Sequence, residues 1–130
     1  MQPNMNLREI LVAVRALIAE EEHWCKQAHA QDVNKHVVGV DDPEAYSFCL
    51  TGAVRRALLD AGIDDAMESG WVFRALVKCL DGDQLSRSMA AINGFVLTGF
   101  NDTATHAEVL ALLDKAIASC SQRENACNPQ

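Results

Sequence analysis

The residues of this 130-residue chain that best suit catalytic chemistry are a thiol and an imidazole. Cys49 is the nucleophile candidate, because a thiol in the early turns of a helix feels the helix dipole, which favours the thiolate. His36 or His29, both earlier in the chain, would serve as the base. Asn101 or Asp102 would orient the imidazole, completing a cysteine–histidine–asparagine arrangement. No diagnostic spacing supports that assembly. Cys49 stands between Phe48 and Leu50 on the apolar side of a helical pattern, so a buried packing cysteine is the first expectation. His23, Cys25, His29 and His36 place four nitrogen or sulfur ligands of the kind zinc takes within fourteen residues. Their spacing fits no standard zinc module, and the expectation is that no metal and no cofactor is needed. Phosphate-loop, dinucleotide, zincin and serine-hydrolase motifs are absent from the sequence.

These residues must be positioned by helices. Asn6-Leu7-Arg8-Glu9 has the form of a capping box, and Leu7, Ile10, Leu11, Val14, Leu17 and Ile18 recur on one face of a first helix running to about His23. From Trp24 to Val40 the helical period disappears. A short β-hairpin is expected there, with strands at 27–32 and 36–40 around Asn34-Lys35. Asp41-Asp42-Pro43-Glu44 reads as the start of a second helix that ends at Gly62. Phe48, Cys49, Ala53, Val54, Ala57 and Leu58 form its inner face. Gly52 and Ala53 are small enough to let another element approach closely.

A third helix is expected over 65–80, with Met67, Val72, Leu76, Cys79 and Leu80 inward and Ser69-Gly70 as an interruption. Leu85, Met89, Ile92 and Val96 suggest a fourth, weakened near Gly94 and Gly99. Phe100-Asn101-Asp102 reads as a turn, and Thr105-His106-Ala107-Glu108 as a second capping box opening the last helix. That helix carries the stripe Val109, Leu112, Leu113, Ala116, Ile117 and Cys120. The predicted architecture is mainly α: about five helices round one core, with a short β-hairpin between the first two long helices. One domain covers residues 1–130, its ordered core at 6–121 and a frayed tail at 122–130.

With 49% hydrophobic and 22% charged residues, the chain can bury a core of its own. No apolar run approaches the roughly 20 residues of a membrane span, and the start of the chain does not read as a signal peptide. A cytoplasmic protein with reduced, mostly structural cysteines is expected. The net charge of −7 argues against nucleic acid as a partner, since that affinity needs clustered cations. Oligomeric state is not legible here.

Trp24, Asp42-Pro43-Glu44-Ala45, Phe48 through Ala53, Phe100-Asn101-Asp102 and Thr105 through Ile117 together resemble a family of short bacterial and phage proteins of unknown function. Its pattern reads Trp, then Cys-Leu-x-Gly-Ala, then Trp-Asn-Asp, then Thr-x-x-Glu-Val. Phe100 stands in the place of a tryptophan, and the link from Asp102 to Thr105 is shorter than in that pattern. The resemblance implies the fold and a bacterial or phage context, and brings no activity.

Two functions follow as expectations. The first is a small acidic adaptor or inhibitor that binds another protein by surface contact, with Trp24, Cys49, Asn101 and Asp102 as the binding residues. The alternative is a small enzyme or ligand-binding protein using Cys49 with a histidine and the Asn101-Asp102 turn. That turn is expected to pack near Trp24 and the start of the second helix around Cys49. Short polar side chains of this kind bond nearby backbone groups first, so holding the turn is its primary expected role.

Overall fold

The computed structural model describes residues 6–63, 65–89 and 95–127, the side chains of 65–67 and 121–127 excepted. Six α-helices lie among them: α1 Leu7–Leu17, α2 Leu50–Asp60, α3 Asp65–Val77, α4 Gly82–Met89, α5 Val96–Thr103 and α6 His106–Cys127. Between α1 and α2 the chain makes a short 3-10 turn at Glu21–His23 and a two-stranded antiparallel sheet, β1 Ala30–Gln31 with β2 Ser47–Phe48. The protein is therefore mainly helical with one small sheet, as its periodicity predicts, and holds one more helix than the sequence suggests.

Both anticipated capping boxes form. Asn6 Oδ1 accepts from Glu9 N–H at 2.9 Å while Glu9 Oε1 accepts from Asn6 N–H at 3.0 Å. Thr105 Oγ1 accepts from Glu108 N–H at 3.1 Å and Glu108 Oε1 accepts from Thr105 N–H at 2.9 Å. Asp81 and Gln84 make the same reciprocal pair at the start of α4, at 2.8 and 3.0 Å. The D-x-x-Q spacing carries that signal. Satisfying the first free N–H groups in this way fixes where each helix begins.

Several boundaries differ from the sequence reading, the third helix among them, which ends at Val77 instead of Leu80. The first helix stops at Leu17 instead of His23, because Ile18 turns into the core and its carbonyl accepts from His106 Nε2 at 2.7 Å. The second helix begins at Leu50, not at Pro43. Asp42 does cap a turn, its Oδ1 accepting from Glu44 N–H at 2.8 Å, but the chain then leaves helical geometry to pair Ser47-Phe48 with Ala30-Gln31. Arg56 on α2 pins that turn by donating to the carbonyls of Val40 and Asp42 at 2.9 and 3.1 Å. The expected 27–32 with 36–40 hairpin shrinks to a single bridge between Gln31 and Val37; the sheet partner of β1 comes from 47–48. Finally, Phe100-Asn101-Asp102 is not a turn but the last part of α5.

Ser69-Gly70 does not interrupt α3, and Gly82 opens α4. Met89 is 66% exposed, so it is not the inward position its spacing suggests. Met67 as a buried side chain, and Ile92 and Gly94, lie outside the described residues. α6 continues past Ser121, where its apolar stripe ends.

The core is one cluster. Ile10, Leu11 and Val14 of α1 pack with Leu50, Val54 and Leu58 of α2, Val72 and Leu76 of α3, Leu97 and Phe100 of α5, and Val109 and Leu113 of α6. α1 packs against both α2 and α6, and the Arg15 guanidinium closes the α1–α6 seam on Asp114 at 2.6 Å. The result is a packed platform with the start of α2, the end of α5 and the irregular 24–48 segment meeting at one place.

Candidate functional site

That meeting place is built round Asn101, which is 0% exposed. Its Oδ1 accepts from the Trp24 indole N–H at 2.7 Å and from the Leu50 backbone N–H at 3.0 Å. Its Nδ2 donates to the Cys25 carbonyl at 3.1 Å and faces Asp102 Oδ1 at 3.4 Å. The same Asp102 oxygen accepts from Gln27 N–H at 3.0 Å. Gln27 has φ 66°, in the left-handed region that a non-glycine residue adopts only when its surroundings hold it there. Two adjacent residues of α5 thus fasten the segment after α1 to the first turn of α2.

Cys49 is the N-cap of α2. Its backbone is extended, and its Sγ accepts from Gly52 N–H at 3.3 Å. The Cys49 N–H donates to the His29 carbonyl at 3.3 Å. Gly52 makes that approach possible: a Cβ at this position would lie 1.9 Å from the His29 oxygen. Burial pushes the Cys49 thiol up to about 11; the Gly52 N–H opposes the rise, while Cys25 and Asp102 add to it. Desolvation outweighs the helix dipole here, so at neutral pH Cys49 is a thiol and not a thiolate.

Of the residues expected to act together, Trp24, Cys49, Asn101 and Asp102 converge. His36 does not join them. It sits on the turn after β1, its side chain 77% exposed and its Nδ1 3.4 Å from Asp32 Oδ2. Asp32 Oδ1 accepts from the N–H groups of Asn34 and His36, both at 2.9 Å, and these bonds hold its carboxyl below the usual range. The zinc candidates scatter. His23 Nδ1 donates to the Tyr46 carbonyl at 2.7 Å, Cys25 Sγ turns to the Ala28 carbonyl at 3.5 Å, and His29 stands apart at a cleft. Among the described residues no group of three or more His, Cys, Asp or Glu is placed to hold a metal ion.

The cleft is the feature that sequence reasoning missed. About 710 Å³ in volume, it opens beside the Asn101 cluster between residues 27–41 and α2. Cys49, His29 and Asp102 reach it together with Gln27, Arg55 and Thr98, and Val37 and Leu59 supply apolar wall. Burial, with the Arg55 charge added, pushes the His29 imidazole below its ordinary value. Val37 is 71% exposed and Leu59 37%. A polar rim over accessible apolar side chains is an arrangement for binding. Its only sequence signal was the valine-rich run at 37–40 within an otherwise polar segment.

A small helical domain whose one sheet is fastened to a helix start by a buried asparagine is thus defined by fold and site together. The chain belongs to the family of unknown function DUF6197, whose model matches residues 2–119. No curated protein and no solved structure matches it. The geometry nevertheless accounts for the Cys-Leu-x-Gly-Ala run: Cys49 caps, Leu50 is buried and gives its N–H to Asn101, Gly52 admits the His29 carbonyl, and Ala53 packs in the core.

Proposed function

We propose that the protein is a small acidic protein-binding module, an adaptor or inhibitor, that acts by surface contact through the cleft between residues 27–41 and α2. The observation that carries this reading is the division of labour at the site. Asn101 has all its hydrogen-bonding capacity turned inward, whereas exposed Val37 and Leu59 beside it face solvent across the cleft. Interfaces of this kind place apolar side chains at the centre and polar groups round the rim. A protein partner with a basic face suits the net charge of −7, which also speaks against nucleic acid. A cytoplasmic setting in a bacterium or phage belongs to the same proposal.

A photo-crosslinking residue at Val37, in cells of the native host, should yield one stoichiometric protein adduct. With the crosslinking residue kept at position 37, Leu59→Asp should abolish it while the far-ultraviolet circular dichroism stays helical. Equal capture with and without Leu59→Asp refutes the cleft as the binding surface.

The alternative, a small enzyme or ligand-binding protein, draws support from Cys49, His29 and Asp102 lining one cleft, with His29 and not His36 as the histidine. It requires a thiolate that burial opposes. Rapid alkylation of Cys49 by iodoacetamide at neutral pH would favour it, and slow alkylation counts against it.

A further inference from the structure

We propose that Cys25 and Cys49 are a latent disulfide pair, which on oxidation joins the segment after α1 covalently to the start of α2. The inference does not depend on what the cleft binds, and it rests first on main-chain geometry. Trp24 and Phe48 form a parallel bridge, and Cys25 N–H donates to the Phe48 carbonyl at 3.1 Å. The next residue on each strand, Cys25 on one and Cys49 on the other, therefore stands opposite its counterpart. Strands paired in this way run roughly 5 Å apart, inside the Cα separation of about 4.4–6.8 Å that disulfides span. Because side chains alternate along extended chain, both cysteines project to the side opposite Trp24 and Phe48.

Asn101 holds that alignment. One side chain bonds the carbonyl of Cys25 and the N–H of Leu50, the residue after Cys49, at 3.1 and 3.0 Å. The charge of Asp102 bears on both thiols, which places them near the same carboxylate. Both cysteines are free, and the contacts each thiol would give up are local: Cys25 Sγ with the Ala28 carbonyl at 3.5 Å and with the Ser47 side chain, and Cys49 Sγ with Gly52 N–H at 3.3 Å and the Thr51 backbone.

The oxidant is a small-molecule disulfide such as oxidised glutathione. Cys25 reacts first, being 9% exposed against 2% for Cys49, and it borders a hollow of about 520 Å³ shared with Trp24, Tyr46 and Ser47. Its thiolate attacks one sulfur of the oxidant, a mixed disulfide forms, and one glutathione leaves as thiolate and takes up a proton. Cys49 then loses its proton and attacks the Cys25 sulfur, the protein disulfide forms, and the second glutathione leaves. Two protein thiols are oxidised and one disulfide is reduced to two thiols, so two electrons and two protons are accounted for. Burial holds both thiols protonated at neutral pH, so the exchange is slow there and quickens as pH rises.

The test uses the wild-type chain, held with excess oxidised glutathione while circular dichroism confirms that it stays folded. Free thiols are then alkylated and the protein is digested for peptide mapping. The expected product is a peptide linking Cys25 to Cys49, formed several-fold faster at about pH 9 than at pH 7 and reversed by dithiothreitol. Cys49→Ser should stop at a glutathione adduct on Cys25, although the wild-type map decides the matter alone. A stable Cys25 adduct in wild type, linkage to Cys79, Cys120 or Cys127 instead, or both thiols still open to alkylation at equilibrium would each overturn the proposal.

Discussion

Asn101 offers two donors and an oxygen with two lone pairs, and each of them faces a partner: Trp24, Leu50, Cys25 and Asp102. Removing the amide leaves several buried groups unsatisfied at about 1–3 kcal/mol each. Asn101→Ala should therefore lower stability by roughly 3 kcal/mol or more in urea titration, and Trp24→Phe by only about 1 kcal/mol, since one bond is lost. A double-mutant cycle should return coupling of roughly 1 kcal/mol between the two positions, and additive effects would show that the indole bond contributes nothing. Cys49 makes a second residue-scale prediction. Its folded value of about 11 lies above the ordinary 9.0, so the unfolded chain ionises first as pH rises. The stabilisation is fully present below about pH 9 and is lost between pH 9 and 11, on the order of 2–3 kcal/mol, in proportion to the shift. Cys49→Ser should flatten that part of the alkaline stability profile.

Some of this was legible from residue types. Asn101 and Asp102 stood out as short polar side chains between apolar segments, and their place beside Trp24 and Cys49 was an expectation that the hydrogen bonds of Asn101 now show. Their helical conformation did not show, because a helix only eight residues long, with Gly99 inside it, has little periodicity to display. Chain position alone left His36 and His29 both open as the base. Only the fold reveals that the Asp32 turn carries His36 outward while His29 borders the cleft.

At the scale of elements, stops and starts divide by the range of the forces that set them. Capping boxes are local, so Asn6-Glu9 and Thr105-Glu108 could be read directly from the chain. The strands are only two residues each and take their conformation from pairing across a long loop, which no local pattern encodes. Pairing of β2 with β1 also overrides the strong start signal at Asp42-Pro43, delaying α2 until Cys49 can cap it. Two glycines give an opposed prediction. Gly52→Ala drives a methyl against the His29 carbonyl, which belongs to backbone and cannot yield cheaply; it should cost several kcal/mol and displace the sheet from α2. Gly70→Ala, inside α3 with nothing within 4 Å of the new Cβ, should stabilise by about 0.5–1 kcal/mol through helix propensity and a less flexible unfolded chain. Thermal unfolding of the pair reads both; equal shifts of the same sign would contradict this account.

For the molecule as a whole, the sheet is too small to stand alone, and its anchorage comes from the far end of the chain. The bonds from Asn101 to Leu50, Cys25 and Trp24 span 51, 76 and 77 positions of sequence. Closing such long loops is entropically costly until neighbouring helices have docked. The buried amide is therefore expected to form late, on the native side of the folding transition state. Contacts of that kind govern how long a folded molecule survives rather than how quickly it forms. In stopped-flow measurements Asn101→Ala should leave the folding limb of the chevron almost unmoved. Its unfolding limb should rise about 100-fold, as a loss of roughly 3 kcal/mol confined to that side of the barrier requires. The asparagine at the centre of the site would then act as a latch that sets the lifetime of the native state.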